Sequence, residues 1–176
     1  MPTPLETPRL LLRPWLETDA HDLFAIMHSP SVRDGGWKPH TDMTESAAVL
    51  RGYLTSDDRF AVVLKETGHV IGSIRLTPDN NRGRYRARML NYVLAEEFRG
   101  NGYMTEAVMR VVQYVFADLD MDLISAFHYK GNERSRNVLM RCGFSYEITI
   151  PGGCRRYDGA VLDAVCYSVL NPRLLR

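Results

Sequence analysis

Metal and disulfide frameworks are the first things missing from this 176-residue chain. Its three cysteines, Cys142, Cys154 and Cys166, are odd in number and stand 12 residues apart, which fits neither paired disulfides nor a close-spaced zinc site. They read as buried or idle thiols. The five histidines, His21, His28, His40, His69 and His128, show no His-Glu-x-x-His spacing, so no metal is expected. Excess charge is missing too: 22 basic and 21 acidic residues leave a formal +1. No global field then draws the chain to nucleic acid or an anionic membrane, and neither is expected as a partner. No segment approaches the ~20 apolar residues of a membrane span, and Met1-Pro2-Thr3-Pro4-Leu5-Glu6-Thr7-Pro8 lacks a cationic region followed by an apolar run. A cytoplasmic protein is expected. Repeats, low-complexity tracts and linkers are absent as well, and at 45% hydrophobic residues a single domain over 1–176 follows.

What is present is an ordered series of short patterns. Arg9 to Trp15 reads as a strand, and Thr18 as the cap of a helix carrying Ala20, Leu23, Phe24 and Met27 inward until Pro30. After a loop, Asp42-Met43-Thr44-Glu45 resembles a capping box for a second helix with Ala47, Leu50 and Leu54 inward. Phe60 to Leu64, Val70 to Leu76 and Arg84 to Leu94 form an antiparallel meander, divided by Thr67-Gly68 and by Pro78 to Gly83. A long third helix shows Val108, Val111, Val112, Val115, Phe116 and Leu119 on one face and leads to a strand from Leu123 to His128, a βαβ crossover. Asn132 is placed to cap a fourth helix with Val138, Leu139 and Cys142 inward and Gly143 as its C′ residue; Phe144 to Ile150 and Val161 to Leu170 complete the sheet. The expected fold is α/β (α+β): a mixed, mostly antiparallel sheet of about seven strands with about four helices.

Within this order, Asn91 to Ala107 is a strand, a glycine turn and the opening of a helix. Gly100 and Gly102 let backbone amides turn toward one point, and the helix N-terminus adds partial positive charge there. A pyrophosphate cradle is one reading and a plain connection the other. The Walker pattern Gly-x-x-x-x-Gly-Lys-Ser/Thr is absent, and the dinucleotide fingerprint fails at Thr105.

Three segments resemble the GNAT superfamily of acetyl-CoA-dependent N-acyltransferases, in its RimJ/RimL-type branch: Thr7-Pro8-Arg9-Leu10-Leu11-Leu12-Arg13-Pro14-Trp15, the run Arg99-Gly100-Asn101-Gly102-Tyr103-Met104-Thr105-Glu106-Ala107, and Asn132-Glu133-Arg134-Ser135 with Cys142-Gly143-Phe144. The resemblance implies acetyl-CoA as acyl donor, with amides of Arg99, Gly100, Asn101, Gly102, Tyr103, Met104 and Thr105 around the pyrophosphate and Tyr92, Val93 and Leu94 along the pantetheine arm, where the fourth and fifth strands splay apart. Asn132 and Asn137 are further cofactor contacts by the same analogy, although Asn132 is equally a plain N-cap and Asn137 a solvent-facing residue. Met104 departs from the family's small residue at that position.

The implied chemistry is direct attack of a neutral amine on a thioester, with an amide such as that of Val93 or Leu94 at the oxyanion. Ser135 holds the family position beside the sulfur, for a hydrogen bond or a water relay; its alternative is helix capping. Tyr103 and Tyr129 are spare donors. Many relatives carry a glutamate where this chain has Met89, so His128, at the end of its strand, is the substitute base, a structural histidine being the plainer account. Glu106 is explained by the helix dipole and Arg110 rather than by catalysis. Trp37 and His40 are candidate acceptor contacts, or loop packing. Arg84, Arg86 and Arg88 share a strand face, suited to an acidic peptide or to solvent. An α-amine of pKa ~8 is about one-tenth neutral at pH 7, against roughly one in 2,500 for lysine, so a weak base favours a protein or peptide N-terminus as acceptor. Polyamines and aminoglycoside-type amines are the alternatives, and a non-catalytic acyl-CoA sensor is the alternative of another class. Oligomeric state, monomer or homodimer, is not readable from the sequence.

Overall fold

Eight strands form one sheet in the computed structural model, which describes residues 3–175. They are β1 (Leu5–Glu6), β2 (Leu10–Arg13), β3 (Arg59–Leu64), β4 (Val70–Pro78), β5 (Ala87–Leu94), β6 (Leu123–Tyr129), β7 (Ser145–Arg155) and β8 (Val161–Leu170). In space they run β1-β2-β3-β4-β5-β6-β8-β7, all antiparallel except β5 beside β6. The helices are α1 (Ala20–His28), α2 (Met43–Leu54), α3 (Tyr103–Ala117) and α4 (Glu133–Arg141).

Period-two alternation sends successive strand residues to two different cores. On one face Leu10, Leu12, Phe60, Val62 and Ile74 pack with Val108, Val111 and Val115 of α3 and Leu139 of α4. On the other, Ala61, Val63 and Val93 pack with Leu23, Ile26 and Met27 of α1 and Leu50 of α2. Sheet residues are thus covered on both sides, which is why β3 is buried along its whole length.

The expected order of elements holds, with local differences. The sheet has an eighth strand, the two-residue β1, because Leu5 and Glu6 fold back on Leu12 and Leu11. Thr18 is not the cap of α1: a 3-10 turn at Glu17–Asp19 precedes the helix, and the Asp19 carboxylate takes the Leu16 amide and a bidentate contact from Arg13. The loop after α1 contains a 3-10 turn, Pro30–Gly35. The Asp42 side chain does accept from the Glu45 amide, while Glu45 itself reaches the Thr41 amide. The fourth expected strand is shorter than Arg84 to Leu94, since it begins at Ala87. Arg86 before it is committed to Asp120 and Asp122, which removes it from any open arginine face.

The feature that creates a site is an incomplete ladder. β5 and β6 pair from Ala87 with Leu123 to Leu90 with Ala126, and then part, although β5 runs on to Leu94 and β6 to Tyr129. Beyond Leu90, β5 is held on its β4 side alone.

Gly72 sets how closely it is held there. A Cβ on Gly72 would lie 2.6 Å from the Val93 carbonyl oxygen, closer than real contacts allow. Gly72→Ala is therefore expected to cost about 1–3 kcal/mol, as overpacking does, and to lower Tm by roughly 2–4 °C per kcal/mol. Thermal and urea unfolding check this; an unchanged midpoint would show that the two backbones have room to spare.

Candidate active site

The parting of β5 and β6 opens a cleft of about 320 Å³. Its geometry follows from the pleat. The Ala95 amide donates to Ile71 of β4, and the Val93 carbonyl lies against Gly72, so the odd-numbered main-chain groups of this stretch face β4. By alternation those of Tyr92 and Leu94 face the gap, where β6 no longer meets them and the Leu94 carbonyl accepts instead from Arg99 Nη2 at 3.5 Å. Unpaired backbone groups at that depth need partners, and an extended amide-bearing arm supplies them as a strand would. The Leu94 amide is thus turned to the cleft, whereas the Val93 main chain is spent on β4.

At the end of β5 a 3-10 turn, Glu96–Phe98, leads to the glycine loop. Gly100 and Gly102 have φ of +82° and +78°, left-handed values that glycine adopts without strain. Together they curl the chain into the N-terminus of α3, whose first amides lack intrahelical partners. Arg99 Nη1 is buried without a hydrogen-bond partner, and burial together with the nearby Arg134 cation pushes the Arg99 pKa down. An orphaned guanidinium N–H, free helix amides and glycines in a nest are a donor set that suits a pyrophosphate. Met104 does not obstruct it: its side chain is 4% exposed and packs in the core beneath the loop. The Asn101 side chain does not line the cleft; it donates to the Phe98 and Arg99 carbonyls and closes the turn.

Behind the loop lies a support that sequence reading assigned differently. Glu106 does not pair with Arg110; it accepts from the Thr7 hydroxyl and from the amide and guanidinium of Arg9. Burial opposes its ionisation, yet these donors hold its pKa below the usual range. Arg9 in turn donates to the Asn101 carbonyl and lies 4.5 Å over the Tyr103 ring. The signal was in plain view, since Thr7 and Arg9 belong to the opening motif, but a contact across 97 positions leaves no periodicity to detect.

The opposite wall is α4. The Asn132 carboxamide oxygen accepts from the Ser135 amide, the N-cap role, while its NH2 donates to the Asp34 carbonyl. Ser135 meets the Tyr92 hydroxyl at 2.7 Å, and Asn137 also lines the cleft. Cys142 is buried, and burial pushes its thiol up to about 12, which leaves it protonated and inert.

A strap crosses the gap. At one end Ser29 donates to Glu96, just past β5; at the other Asp34 takes the Asn132 NH2 and Arg134, just past β6. Gly36, with φ of +87°, seats directly under the Tyr129 ring: a Cβ there would fall 2.3 Å from the Tyr129 hydroxyl. Trp37 lines the cleft from this strap.

Two expected site histidines are placed differently. His40 does not line the cleft; it is buried, its ring meets the Ser46 hydroxyl at 2.8 Å, and burial lowers its pKa. That corrects its reading as an acceptor contact. His128 does line the cleft, but both ring nitrogens are engaged: Nδ1 donates to the Tyr129 carbonyl at 2.9 Å, leaving Nε2 to accept from the Tyr167 hydroxyl. A general base needs a free lone pair toward the amine, and in this arrangement that of His128 is turned to Tyr167. Tyr129 remains at the cleft, its pKa raised by burial. Among the described residues no group of three or more His, Cys, Asp or Glu is placed to hold a metal, and no helix is long and apolar enough to cross a membrane.

Comparison with known proteins agrees with this geometry. Residues 9–145 match the family model described as an acetyltransferase (GNAT) domain. YdaF of Bacillus subtilis, provisionally named a ribosomal N-acetyltransferase, is 34% identical over 161 residues, covering 87% of this chain and 86% of its own. The [ribosomal protein uS5]-alanine N-acetyltransferase of Escherichia coli is 30% identical over 94 residues, 52% of this chain and 46% of its own. Among solved structures, a GNAT-family acetyltransferase from Bacillus anthracis superposes with a TM-score of 0.86 at 16% identity, covering 97% of this chain and 99% of that one. RimJ of Mycobacterium smegmatis, solved with CoA-disulfide, gives 0.75 at 22%, covering 99% and 88%. With the match running from β2 through the parted strands, the glycine loop and α4, the chain belongs to the GNAT acetyltransferases and has ribosomal-protein N-acetyltransferases among its relatives.

Proposed function

We propose that this protein transfers an acetyl group from acetyl-CoA to the α-amine of a protein or peptide N-terminus. The observation that carries the reading is the main chain of Tyr92 and Leu94, left by β6 and facing a cleft that ends in the glycine loop and the unpartnered Arg99 Nη1, with the Leu94 carbonyl touched by Arg99 Nη2 at 3.5 Å. When bound, acetyl-CoA supplies a thioester whose C–S bond breaks as the new amide C–N bond forms.

The chain's own groups then divide the work. The amides from Gly100 to Thr105, with Arg99, hold the phosphates; the β5 main chain aligns the arm; the Leu94 N–H is the donor for the oxyanion. A preorganised backbone donor of this kind contributes roughly 3–4 kcal/mol in related acyl-transfer chemistry. Ser135 stands at the far wall as the donor for the departing sulfur. The strap, with Trp37, closes the acceptor side. Asp34, the carboxylate on the cleft lining, is already paired with Arg134, so no strong base faces the amine. An acceptor that is substantially neutral by itself suits that site, which favours an α-amine over a lysine. The naming of two relatives for ribosomal N-acetylation supports the same class.

Free-thiol release from acetyl-CoA, measured against N-terminal peptides, polyamines and aminoglycosides, is expected to be fastest with the peptides. Binding without release from any amine would replace this reading with that of a sensor. The pH profile adds an independent check. Since the reactive form is the neutral amine, kcat/KM should rise about tenfold per pH unit below ~8 and level off above it, with an inflection that moves when the peptide's N-terminal residue changes. An inflection fixed near 6.5 whatever the peptide would restore an enzymic base. Arg99→Ala is expected to raise the Kd for acetyl-CoA about tenfold in calorimetry, one charge-assisted hydrogen bond's worth, with a small effect on Tm.

A further inference from the structure

Ser135 has one hydroxyl hydrogen and more than one direction in which to point it. Its Oγ lies 2.7 Å from the Tyr92 hydroxyl, and that phenol oxygen is also 3.0 Å from the Ser135 carbonyl. If the tyrosine hydrogen goes to the carbonyl, the serine hydrogen turns back onto the phenol oxygen and the cleft has no donor on this wall. If it goes to Oγ, the serine hydrogen is released toward the cleft.

We propose that Tyr92 is a positioning residue that aims the Ser135 hydroxyl: its phenol donates to Ser135 Oγ, and the serine hydrogen is thereby directed at the departing sulfur. This rests on the reading of Ser135 given above. Between Tyr92, Ser135 and the sulfur no proton is transferred: the C–N bond forms, the C–S bond breaks, the sulfur leaves as a thiolate that Ser135 holds by a hydrogen bond, and the proton shed by the acylated nitrogen passes to solvent water. Several features of the fold make the phenol a fixed donor. The Tyr92 ring packs against the core beneath α4. Burial raises its pKa, so the hydroxyl keeps its hydrogen. The serine backbone is pinned because the Ser135 amide donates to Asn132 Oδ1. Without the phenol, the Ser135 hydroxyl is a free rotor and nothing on this wall holds its hydrogen toward the sulfur.

The test reads the sulfur directly. The ultraviolet absorbance of the thiolate of protein-bound CoA is titrated against pH in the wild type, Tyr92→Phe, Ser135→Ala and the double variant. The bound thiol is expected to ionise about one pH unit lower in the wild type than in Ser135→Ala, because a hydrogen bond to the charged form favours it. Tyr92→Phe should match Ser135→Ala, the double variant should add nothing, and kcat should fall about tenfold in Tyr92→Phe while the Kd for CoA changes less than about twofold. A Tyr92→Phe titration identical to wild type, with Ser135→Ala shifted, would overturn the role of Tyr92 and leave Ser135 at the sulfur. If neither variant shifts, Ser135 is not beside the sulfur; if the wild type binds no CoA, the proposed function itself falls. Tyr92→Leu, which also lacks the hydroxyl, gives the same expected shift should the phenylalanine variant fail to fold.

Discussion

Two parallel strands that stop pairing halfway are the constraint on which the rest depends. β5 and β6 share a ladder only from Ala87 to Leu90, and the cleft opens where it ends. Keeping a strand extended without one neighbour is costly, because its amides and carbonyls lose partners in a partly dry place. The fold offsets this from the other edge: β4 pairs with β5 as far as Leu94, at a spacing that Gly72 alone makes close enough. Above and below, Val93 sits in one core and Tyr92 and Leu94 pack on the other. β5 is clamped on three sides and open on the fourth.

Charge is arranged around that opening without any net excess. The formal +1 of the chain conceals three cations, Arg99, Arg134 and Arg141, on the lining of one cleft, with Arg134 near enough to Arg99 to depress its pKa. Arg134 is answered by Asp34 on the strap, whereas one nitrogen of Arg99 is answered by nothing in the protein. A local field of this kind works at contact range, unlike the long-range attraction that a basic surface would exert, and burial of Arg99 Nη1 lessens its screening by salt.

Much of the fold was legible because its signals are local. The stripe of Val108, Val111 and Val115, the Asn132 cap and Gly143 at φ +84° are properties of a few neighbouring residues, and the structure places them where the pattern did. The glycine loop was legible for the same reason. What sequence reading missed is non-local. Nothing near Glu106 announces Arg9, and nothing near Asp34 announces Asn132. His128 shows a related limit: position at a strand end says that a ring can reach the cleft, as it does, but only its hydrogen bonds to the Tyr129 carbonyl and Tyr167 show where its lone pair is turned. Tyr92 had been valued for its backbone, and only the packing of α4 over β5 shows that its hydroxyl also has a partner.

A site built of main chain has a consequence for inheritance. Most substitutions at position 94 leave its N–H where it was, so drift erases the letters without erasing the donor. What must persist instead is spacing: a residue without a Cβ on β4, glycines at the loop, two strands that diverge. The fold itself tolerates wide sequence change, as the 16% identity of a neighbour superposing at a TM-score of 0.86 illustrates. The side chains of the strap and the far wall, Trp37 and Ser135 among them, have no such protection and are free to change while the backbone frame stays put.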